Sequence, residues 1–388
     1  MRSIELLRSI KLCMPKLLIV TTIPATIQAF LLPYIAHFRA QGWQVDAMAQ
    51  GISACCECTT ACDRVWDVEW SRNPLDLHNL IDAPRQIEQL AQQNYDLVHV
   101  HTPVAAFVTR YAIRRWQQPK PKVIYTAHGF HFYRGGSALK NRIFLTLEKL
   151  AGRWTDYLVV INREDEQAAQ QHQIVPTVKV RYMPGIGVDT NYYNPHAVTP
   201  TDVEQIRQEL GLARTDSLFL SIAEFIPRKR HHDLLQALAL LPPHAHLALA
   251  GTGVLQPQMQ TLATELGIAN RVHFLGLRRD IPILIRAAVA TILVSAQEGL
   301  PRSVLESLSL GVPVIGTQIR GIQDLVASEL LVPLGDVAAI AQAMTWVLDH
   351  PQSAQALGQQ AQNRIAAYDI QHLITLHEQL YAEALQHS

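Results

Sequence analysis

Two glutamates eight residues apart, in the stretch EGLPRSVLE, are the residues of this sequence best placed to do chemistry. Glu298 follows the strand-like run ATILVSA, whereas Glu306 lies within a predicted helix that starts near Pro301 and ends at Gly311. The start of such a helix presents unpaired backbone N–H groups at its positive dipole end and can bind a phosphate. A carboxylate behind that phosphate could accept hydrogen bonds from a ribose, and one ahead of it could hold sugar hydroxyls. The pattern therefore predicts a nucleotide-sugar site.

The bulk composition is that of an ordinary globular chain. It has 388 residues, 48% of them hydrophobic and 17% charged, which is enough for two domains with full cores. The apolar stretch 17–38 contains two prolines and divides into a strand and a helix, so we exclude a membrane span. Four charged residues among the first fourteen leave no apolar core for a cleaved signal peptide. Both Met1 and Met14 remain candidate starts.

Short β-type runs alternate with helical patterns along almost the whole chain. Strands are predicted at 16–22, 43–49, 96–100, 122–127, 156–161 and 178–182, and again at 217–223, 246–251, 271–276, 290–296 and 313–317. This alternation predicts an α/β fold of two doubly wound, Rossmann-like domains whose parallel sheets face each other across a cleft. Ligands of such folds bind at the carboxyl ends of the strands.

A stretch rich in Pro, Gly and Asn, residues 184–201, is predicted to link the two domains. We therefore expect an N-terminal extension at 1–15, one domain at 16–185 and a second at 186–370. Residues 371–388 are expected to form a helix that packs back towards the first domain. Thr201 and Glu204 match a capping box at the start of a helix that Gly211 ends.

Cysteine and histidine clusters raise the question of a metal site. Four of the five cysteines, Cys55, Cys56, Cys58 and Cys62, lie in CCECTTAC, which lacks the paired CxxC knuckles of zinc sites and is expected to be a loop. His128, in TAHGFHFY, ends a predicted strand, so its imidazole should emerge at the edge of the domain. No acidic or cysteine ligand accompanies it in sequence. We expect reduced thiols, no metal and a cytoplasmic protein.

A strongly basic segment lies in the first half of the chain. Residues 1–190 carry 21 Lys and Arg against 16 Asp and Glu, although the net charge of the whole chain is zero. Ten basic residues face only Glu148 between positions 110 and 153: Arg110, Arg114, Arg115, Lys120, Lys122, Arg134, Lys140, Arg142, Lys149 and Arg153. Such a segment favours an anionic partner. No nucleic-acid-binding motif accompanies it, so a peripheral contact with an anionic membrane is the hypothesis.

Several motifs together resemble the retaining glycosyltransferases of family 4, which have the two-domain GT-B fold. The E-x7-E pattern is followed by SLGVPVIGTQIRGIQDLV, and the resemblance extends from about residue 16 to residue 385. The stretches VHVHTPV, TAHGFHFY and VVINREDEQAAQ resemble the subgroup that builds capsule, exopolysaccharide or O-antigen repeat units. The first domain would then bind the acceptor, and the second would bind the nucleotide sugar.

The resemblance implies roles for particular residues. Glu298, His128 and Lys229 would be catalytic: Glu298 contacts the transferred sugar, His128 supports it near the anomeric centre and Lys229 neutralises the donor diphosphate. The arginine that the family usually has five residues before this lysine is replaced by Glu224, which leaves the diphosphate short of positive charge. The predicted donor-binding residues are Glu306, Gly299, Leu300, Arg302, Ser303, Arg228, Arg230, Gly251, Gly253, Leu275 and Gly276.

The implied reaction moves a sugar from a nucleotide-diphosphate donor, UDP-sugar by expectation, to a polyprenyl-diphosphate-linked saccharide at the inner face of the plasma membrane. The acceptor attacks on the face from which the phosphate departs, so that no protein nucleophile and no cofactor are required. Two alternatives remain open. One is a sugar-nucleotide epimerase of the same fold, and the other is a catalytically silent partner that binds nucleotide sugar, which Glu224 favours.

Overall fold

The computed structural model describes residues 14–71, 76–117, 119–133 and 135–386. The chain forms two compact units. The first comprises the residues up to Ile161, Asp165–Met183 and the segment from Ile374 onwards. The second comprises Asn162–Glu164 and Pro184–Leu373. The expected extension at 1–15 lies almost entirely outside the described residues.

The first unit is built on a parallel seven-stranded sheet with the order β3-β2-β1-β4-β5-β6-β7. Its strands are β1 Lys16–Val20, β2 Gln44–Ala49, β3 Val65–Asp67, β4 Leu97–Val100, β5 Lys122–Ala127, β6 Tyr157–Val160 and β7 Val180–Tyr182. Its helices are α1 Pro24–Thr26, α2 Leu32–Ala40, α3 Cys56–Ala61, α4 His78–Glu88, α5 Pro103–Ile113, α6 Ala138–Gly152 and α7 Arg163–Gln171, of which α7 begins in the second unit.

The central strands of this sheet are buried on both faces, which explains their continuous apolar sequences. Leu17, Leu18, Ile19 and Val20 of β1 are each at most 2% exposed. Helix α15, Ile370–Gln386, contributes its later turns to the same unit, where Tyr381 packs in the core.

The second unit contains a parallel six-stranded sheet with the order β10-β9-β8-β11-β12-β13. Its strands are β8 Ser217–Ile222, β9 Ala245–Ala250, β10 Val272–Gly276, β11 Ala290–Leu293, β12 Val314–Thr317 and β13 Leu331–Val332. Its helices are α8 Pro200–Glu209, α9 His231–Ala239, α10 Gln256–Glu265, α11 Ile281–Ala287, α12 Arg302–Ser309, α13 Val337–Asp349 and α14 Pro351–Gln362.

The sequence predicted two doubly wound α/β units, and the structure confirms them. The eleven predicted strands are all present, and the prediction missed the short edge strands β3 and β13. The predicted capping box at Thr201 and Glu204 is wrong. Thr199 and Asp202 form it, because the helix begins at Pro200, one residue after Thr199.

The stretch 184–201, predicted as a linker, packs into the second unit. Val188 bridges to Asp369 and Tyr193 is 5% exposed. Across the described residues, no helix is both long enough and apolar enough to cross a bilayer.

Candidate functional site

The second unit brings Lys229 and Glu298 together although 69 residues separate them. Lys229 lies in the turn after β8, and Glu298 lies in the loop after β11. These strands are neighbours in the sheet, and the chain leaves them in opposite directions, so their carboxyl ends form the switch point at which such folds bind ligands. The Nζ of Lys229 is 2.6 Å from Oε1 of Glu298. Their side chains are only 12% and 9% exposed.

Hydrogen bonds to a backbone carbonyl hold the Lys229 turn next to the Glu298 loop. The carbonyl of Arg228 accepts hydrogen bonds from Ala296 N at 2.7 Å and from Ser295 Oγ at 3.1 Å. The turn that carries Lys229 is therefore tied to the loop that leads to Glu298. A cation and a carboxylate held side by side at the end of two strands can bind a diphosphate and sugar hydroxyls, respectively.

The two arginines that flank Lys229 differ in direction. Arg228 Nη1 lies 3.4 Å from Glu298 Oε1, and the side chain of Arg228 is 48% exposed. Arg230 turns away and binds Asp233 through both Nε and Nη2. Of these two predicted donor-binding residues, Arg228 thus lies at the site, whereas Arg230 pairs with the carboxylate of Asp233. The side chain of Glu224 is exposed.

Sequence reasoning missed Arg320, which lies after β12 and is 7% exposed. Its Nε donates to the carbonyl of Glu298 at 3.3 Å. A side chain on the next residue, Gly321, would meet the carbonyl of Gly299 at 2.0 Å, so the loop after β12 presses directly on the loop 298–300. The only sequence signal was a basic residue before a glycine at the end of a strand.

Glu306 lies in α12, 7% exposed, and is held from two directions. Arg302 Nε is 2.9 Å from Glu306 Oε1, one helical turn earlier. Tyr193, which sequence reasoning missed, lies close enough to the Glu306 carboxylate to favour its charged form. Burial raises the pKa of Glu306, while Arg302 and Tyr193 act in the opposite direction.

The start of α12 lies between the two glutamates. Pro301 is the N-cap, and its carbonyl accepts from Val304 N at 3.2 Å. The N–H groups of Arg302 and Ser303 belong to the first turn, which has no earlier helical carbonyl to accept them. Leu300 is 6% exposed, and its side chain packs inside the unit near Gly185.

The predicted donor-binding glycines have a structural explanation in the fold. A Cβ on Gly251 would lie 2.2 Å from the carbonyl of Ala223, and one on Gly253 would lie 2.6 Å from the carbonyl of Phe225. Both glycines therefore allow the loop after β9 to approach the loop after β8. Gly251 N also donates to the Gly276 carbonyl at 2.8 Å, which places Gly276 and its half-buried neighbour Leu275 at the same sheet edge.

In the first unit, half-buried His128 stacks on the buried imidazole of His101, which lies against that of His99. Nε2 of His128 is 3.2 Å from Nδ1 of His101, which follows β4. The rings of His101 and His99 are 4.1 Å apart. His99 is itself held at both nitrogens, by Tyr381 Oη at 2.6 Å and Thr126 Oγ1 at 2.7 Å. The sequence pointed to His128 but not to its partners.

These imidazoles are neutral at physiological pH. Burial lowers the pKa of His128 to about 4, and burial followed by neighbouring histidines, including His377, lowers the pKa values of His99 and His101. A neutral pair of rings can share one N–H between His101 and His128. His128 can then offer a hydrogen bond to a ligand without carrying a charge.

This arrangement predicts that acid destabilises the protein. Because the folded pKa values lie below the ordinary 6.5, the unfolded chain binds more protons between about pH 6.5 and pH 4. The free energy of unfolding should therefore fall as the pH is lowered through that window, by up to about 1.4 kcal/mol per pH unit for each histidine. Chemical denaturation at several pH values measures this, and His128→Asn should give a smaller slope.

A change that removes no titratable group supplies the control: Val178→Gln, at a position that is 78% exposed, should leave the slope unchanged. Equal slopes for the wild type and His128→Asn would contradict the prediction.

The residues considered for a metal do not form one site. His131 packs on Phe144, with the ring centroids 5.1 Å apart, while His128 stacks on His101. Throughout the described ranges, no three His, Cys, Asp or Glu side chains are grouped to hold a metal ion. The sequence predicted a loop for the cysteine segment, and this prediction is wrong. The segment forms α3, because Cys55 caps the helix by accepting a hydrogen bond from Cys58 N.

The basic segment is less uniform than its sequence suggested. Arg110 is 1% exposed, lies 4.1 Å from the centroid of the Tyr125 ring and pairs with Glu148 at 3.4 Å. It therefore belongs to the core and not to a charged surface. Arg134 lies outside the described residues. Seven cations of the segment are exposed: Arg114, Arg115, Lys120, Lys140, Arg142, Lys149 and Arg153.

Two family descriptions match this chain. Glycosyl transferases group 1 matches residues 202–364, and the glycosyl transferase 4-like domain matches residues 26–185. The chain is 33% identical to EpsD of Bacillus subtilis (strain 168), a protein provisionally named a glycosyltransferase. The alignment extends over 352 residues, which is 89% of this chain and 90% of EpsD.

Two further proteins are similar over most of their length. The UDP-Gal:alpha-D-GlcNAc-diphosphoundecaprenol alpha-1,3-galactosyltransferase of Escherichia coli is 28% identical, and the alignment covers 67% of this chain and 68% of that enzyme. The crystal structure of Anabaena HepE in complex with UDP and glucose superposes with a TM-score of 0.78 at 22% identity, and covers 95% of this chain and all of HepE. At that identity the likeness shows a shared fold.

Proposed function

This chain belongs to glycosyltransferase family 4 and has the GT-B fold, and from that premise we propose that it is a retaining transferase of cell-surface polysaccharide synthesis. It would move a hexose-type sugar from UDP to a saccharide linked to polyprenyl diphosphate. The observation that carries this proposal is the Lys229–Glu298 pair beside the start of α12, with Glu306 buried one turn further on.

The donor is assigned to the second unit on charge and hydrogen-bonding capacity. A diphosphate carries about two negative charges, and a helix start supplies only about half a positive charge. Lys229 and Arg228 add two cations at the same place, and so offset the charge that the replacement of the usual arginine by Glu224 removes. The UDP donor is supported by the names of two similar proteins, the E. coli galactosyltransferase and the UDP complex of HepE.

The proposed chemistry needs little from the protein beyond electrostatics. As the bond from the anomeric carbon to the diphosphate breaks, negative charge grows on the leaving oxygen, and Lys229 with the N–H groups of Arg302 and Ser303 stabilises it. The acceptor hydroxyl attacks from the same face, and its proton passes to the departing phosphate. Glu298 holds the sugar and Glu306 the ribose. His128 is the candidate catalytic residue of the first unit.

A direct assay tests this proposal. Purified protein would be mixed with radiolabelled UDP-sugars and a membrane extract that supplies lipid-linked saccharides. Label in the lipid fraction supports transfer, whereas conversion of the donor to an isomer without lipid would indicate an epimerase. In the remaining outcome, the protein binds UDP-sugar but forms neither labelled lipid nor an isomer, even with extracts that support related transferases. That result would contradict the catalytic proposal and favour a silent partner.

The acceptor is lipid-linked in this proposal, so the protein would work at the inner face of the plasma membrane. Helix α6 supports such a contact. Its exposed apolar residues, Leu139, Ile143 and Leu150, are 69%, 43% and 40% exposed and recur at spacings of four and seven, which puts them on one face. At 100° per residue, Arg142 and Lys149 fall on one flank of this stripe and Lys140 on the other.

We expect the paired change Leu139→Gln and Ile143→Gln to weaken binding to vesicles with acidic headgroups about tenfold or more, because both side chains would lose their apolar contact. Arg142→Gln with Lys149→Gln should also weaken it and flatten its salt dependence, since each cation contributes about 1 kcal/mol near an anionic surface. Vesicle sedimentation at several salt concentrations measures both effects.

The matched control is Val178→Gln, which removes an apolar side chain that is 78% exposed outside α6. Vesicle binding that is equally strong in the wild type and both α6 variants would exclude this helix as the contact.

A further inference from the structure

The cysteine segment of the first unit contains a close pair of thiols that the proposed transfer reaction does not use. Sγ of Cys55 and Sγ of Cys58 are 2.7 Å apart. A disulfide requires about 2.05 Å, so the two sulfurs need to approach by less than 1 Å to bond. Cys55 and Cys58 are also three residues apart at the first turn of α3, the C-x-x-C spacing of reversible dithiols.

From this geometry we infer that Cys55 and Cys58 form a reversible dithiol–disulfide couple. A metal is the competing use of such thiols. A metal would need a third and a fourth ligand. Among the described residues, no third His, Cys, Asp or Glu side chain joins this pair in a group that could hold a metal ion. Of the other two thiols of this segment, Cys56 is exposed, and Cys62 is at the C-terminal end of α3 and is 5% exposed.

The surroundings assign different roles to the two sulfurs. Cys58 is fully buried, and burial followed by its contact with Cys55 raises the pKa of its thiol to about 12. Cys55 is partly exposed and can meet a soluble reagent. Cys55 is therefore the attacking sulfur and Cys58 the resolving one, because a buried thiol can react only with a sulfur already beside it.

The reaction balances with a low-molecular-weight disulfide, RS–SR, as the oxidant. The thiolate of Cys55 attacks one sulfur of the reagent, the S–S bond breaks, and one RS⁻ leaves. Cys58 then gives up its proton and attacks Sγ of Cys55, which releases the second RS⁻. The protein loses two electrons and two protons, and the reagent ends as two molecules of RSH.

The couple lies beside the segment that follows β1. Glu57 of α3 accepts a hydrogen bond from Gln28 at 3.0 Å, and Cys58 Sγ lies 4.0 Å from the carbonyl of Pro24. The same segment is tied to the histidine edge, because Thr22 hydrogen-bonds to Thr102, the residue after His101. Bond formation between the sulfurs would thus occur next to the strand ends that carry the buried imidazoles.

The test treats the folded full-length protein with glutathione disulfide and maps its thiols by mass spectrometry after alkylation. We expect an intramolecular Cys55–Cys58 link, with the thiols of Cys55 and Cys58 no longer alkylatable and Cys56 carrying at most a mixed disulfide, all reversed by dithiothreitol. Cys56→Ser should leave the link intact, since this exposed cysteine is outside the couple. Cys58→Ser should instead stop the reaction at a mixed disulfide on Cys55.

Three outcomes would overturn the inference. They are a bond between Cys55 and Cys56, a stable mixed disulfide on Cys55 in the wild type, and a dimer linked through Cys56. Circular dichroism of each variant shows whether it is folded. If Cys58→Ser fails to fold, Cys55→Ser replaces it as the test, because Cys55 is only partly buried. Within the cysteine segment, this variant should react with glutathione disulfide at Cys56 alone.

Discussion

Replacing Lys229 with methionine is expected to lower kcat of sugar transfer by about 10²–10³-fold, the usual cost of removing a preorganised group that stabilises a leaving anion. The side chain keeps its length and apolar contacts but no longer offers a charge to the diphosphate. Initial rates with saturating donor measure the loss. Because Lys229 also pairs with a glutamate that is 9% exposed, the variant should be less stable by about 1–3 kcal/mol.

A double variant separates these two effects. Glu298→Gln in the Lys229→Met background removes the carboxylate that would be left with a weaker partner, so it should recover stability without recovering transfer. Arg214→Met, which removes an exposed cation elsewhere in the second unit, should change neither property. Transfer by Lys229→Met at more than about a tenth of the wild-type rate would be incompatible with the role assigned to this lysine.

The second large effect is expected at Glu306. Glu306→Gln keeps the shape of the side chain but loses its charge, and a hydrogen bond to a charged group contributes about 1.5–3 kcal/mol. UDP should therefore bind about ten to a hundred times more weakly, measured by calorimetry or by the shift of the melting temperature with ligand. The KM for the acceptor should not change, since the ribose belongs to the donor.

The raised pKa of Glu306 gives this prediction a second signature. Its carboxylate becomes protonated at a higher pH than an exposed glutamate does, so UDP affinity should fall as the pH is lowered towards that pKa. Glu306→Gln should lose this dependence, and Glu329→Gln, at an exposed site, should retain it. An unchanged UDP affinity in Glu306→Gln would remove Glu306 from the nucleotide site.

Much of the fold followed from short-range patterns. Strand Lys122–Ala127 is bounded by turn residues and contains the β-type run 123–126, and the structure has this strand with the predicted bounds. The capping box was misplaced by two residues because Thr199 and Thr201 both precede an acidic residue by three, and the sequence alone does not say which one the helix starts from. Edge strands β3 and β13 are too short to show a pattern.

The site was predictable where it depends on neighbouring strands and not where it depends on side-chain direction. Lys229 and Glu298 each follow a strand, and the doubly wound topology places those strand ends side by side. Whether Arg228 or Arg230 faces the site depends on a left-handed residue, since Arg230 has φ of +52°. Arg320 and Tyr193 lie in loops, and no local sequence pattern predicts the path of these loops.

The buried ion pair of Arg110 and Glu148 has a consequence for α6, the helix with the apolar stripe. Glu148 is on the inner side of this helix, and lifting the helix from the sheet would strand a guanidinium inside the protein. This ion pair therefore anchors α6, with its apolar stripe, to the folded unit. If α6 is the membrane contact proposed above, the helix is already folded before it meets the bilayer, and the conformational entropy that free peptides lose on adsorption has already been lost during folding.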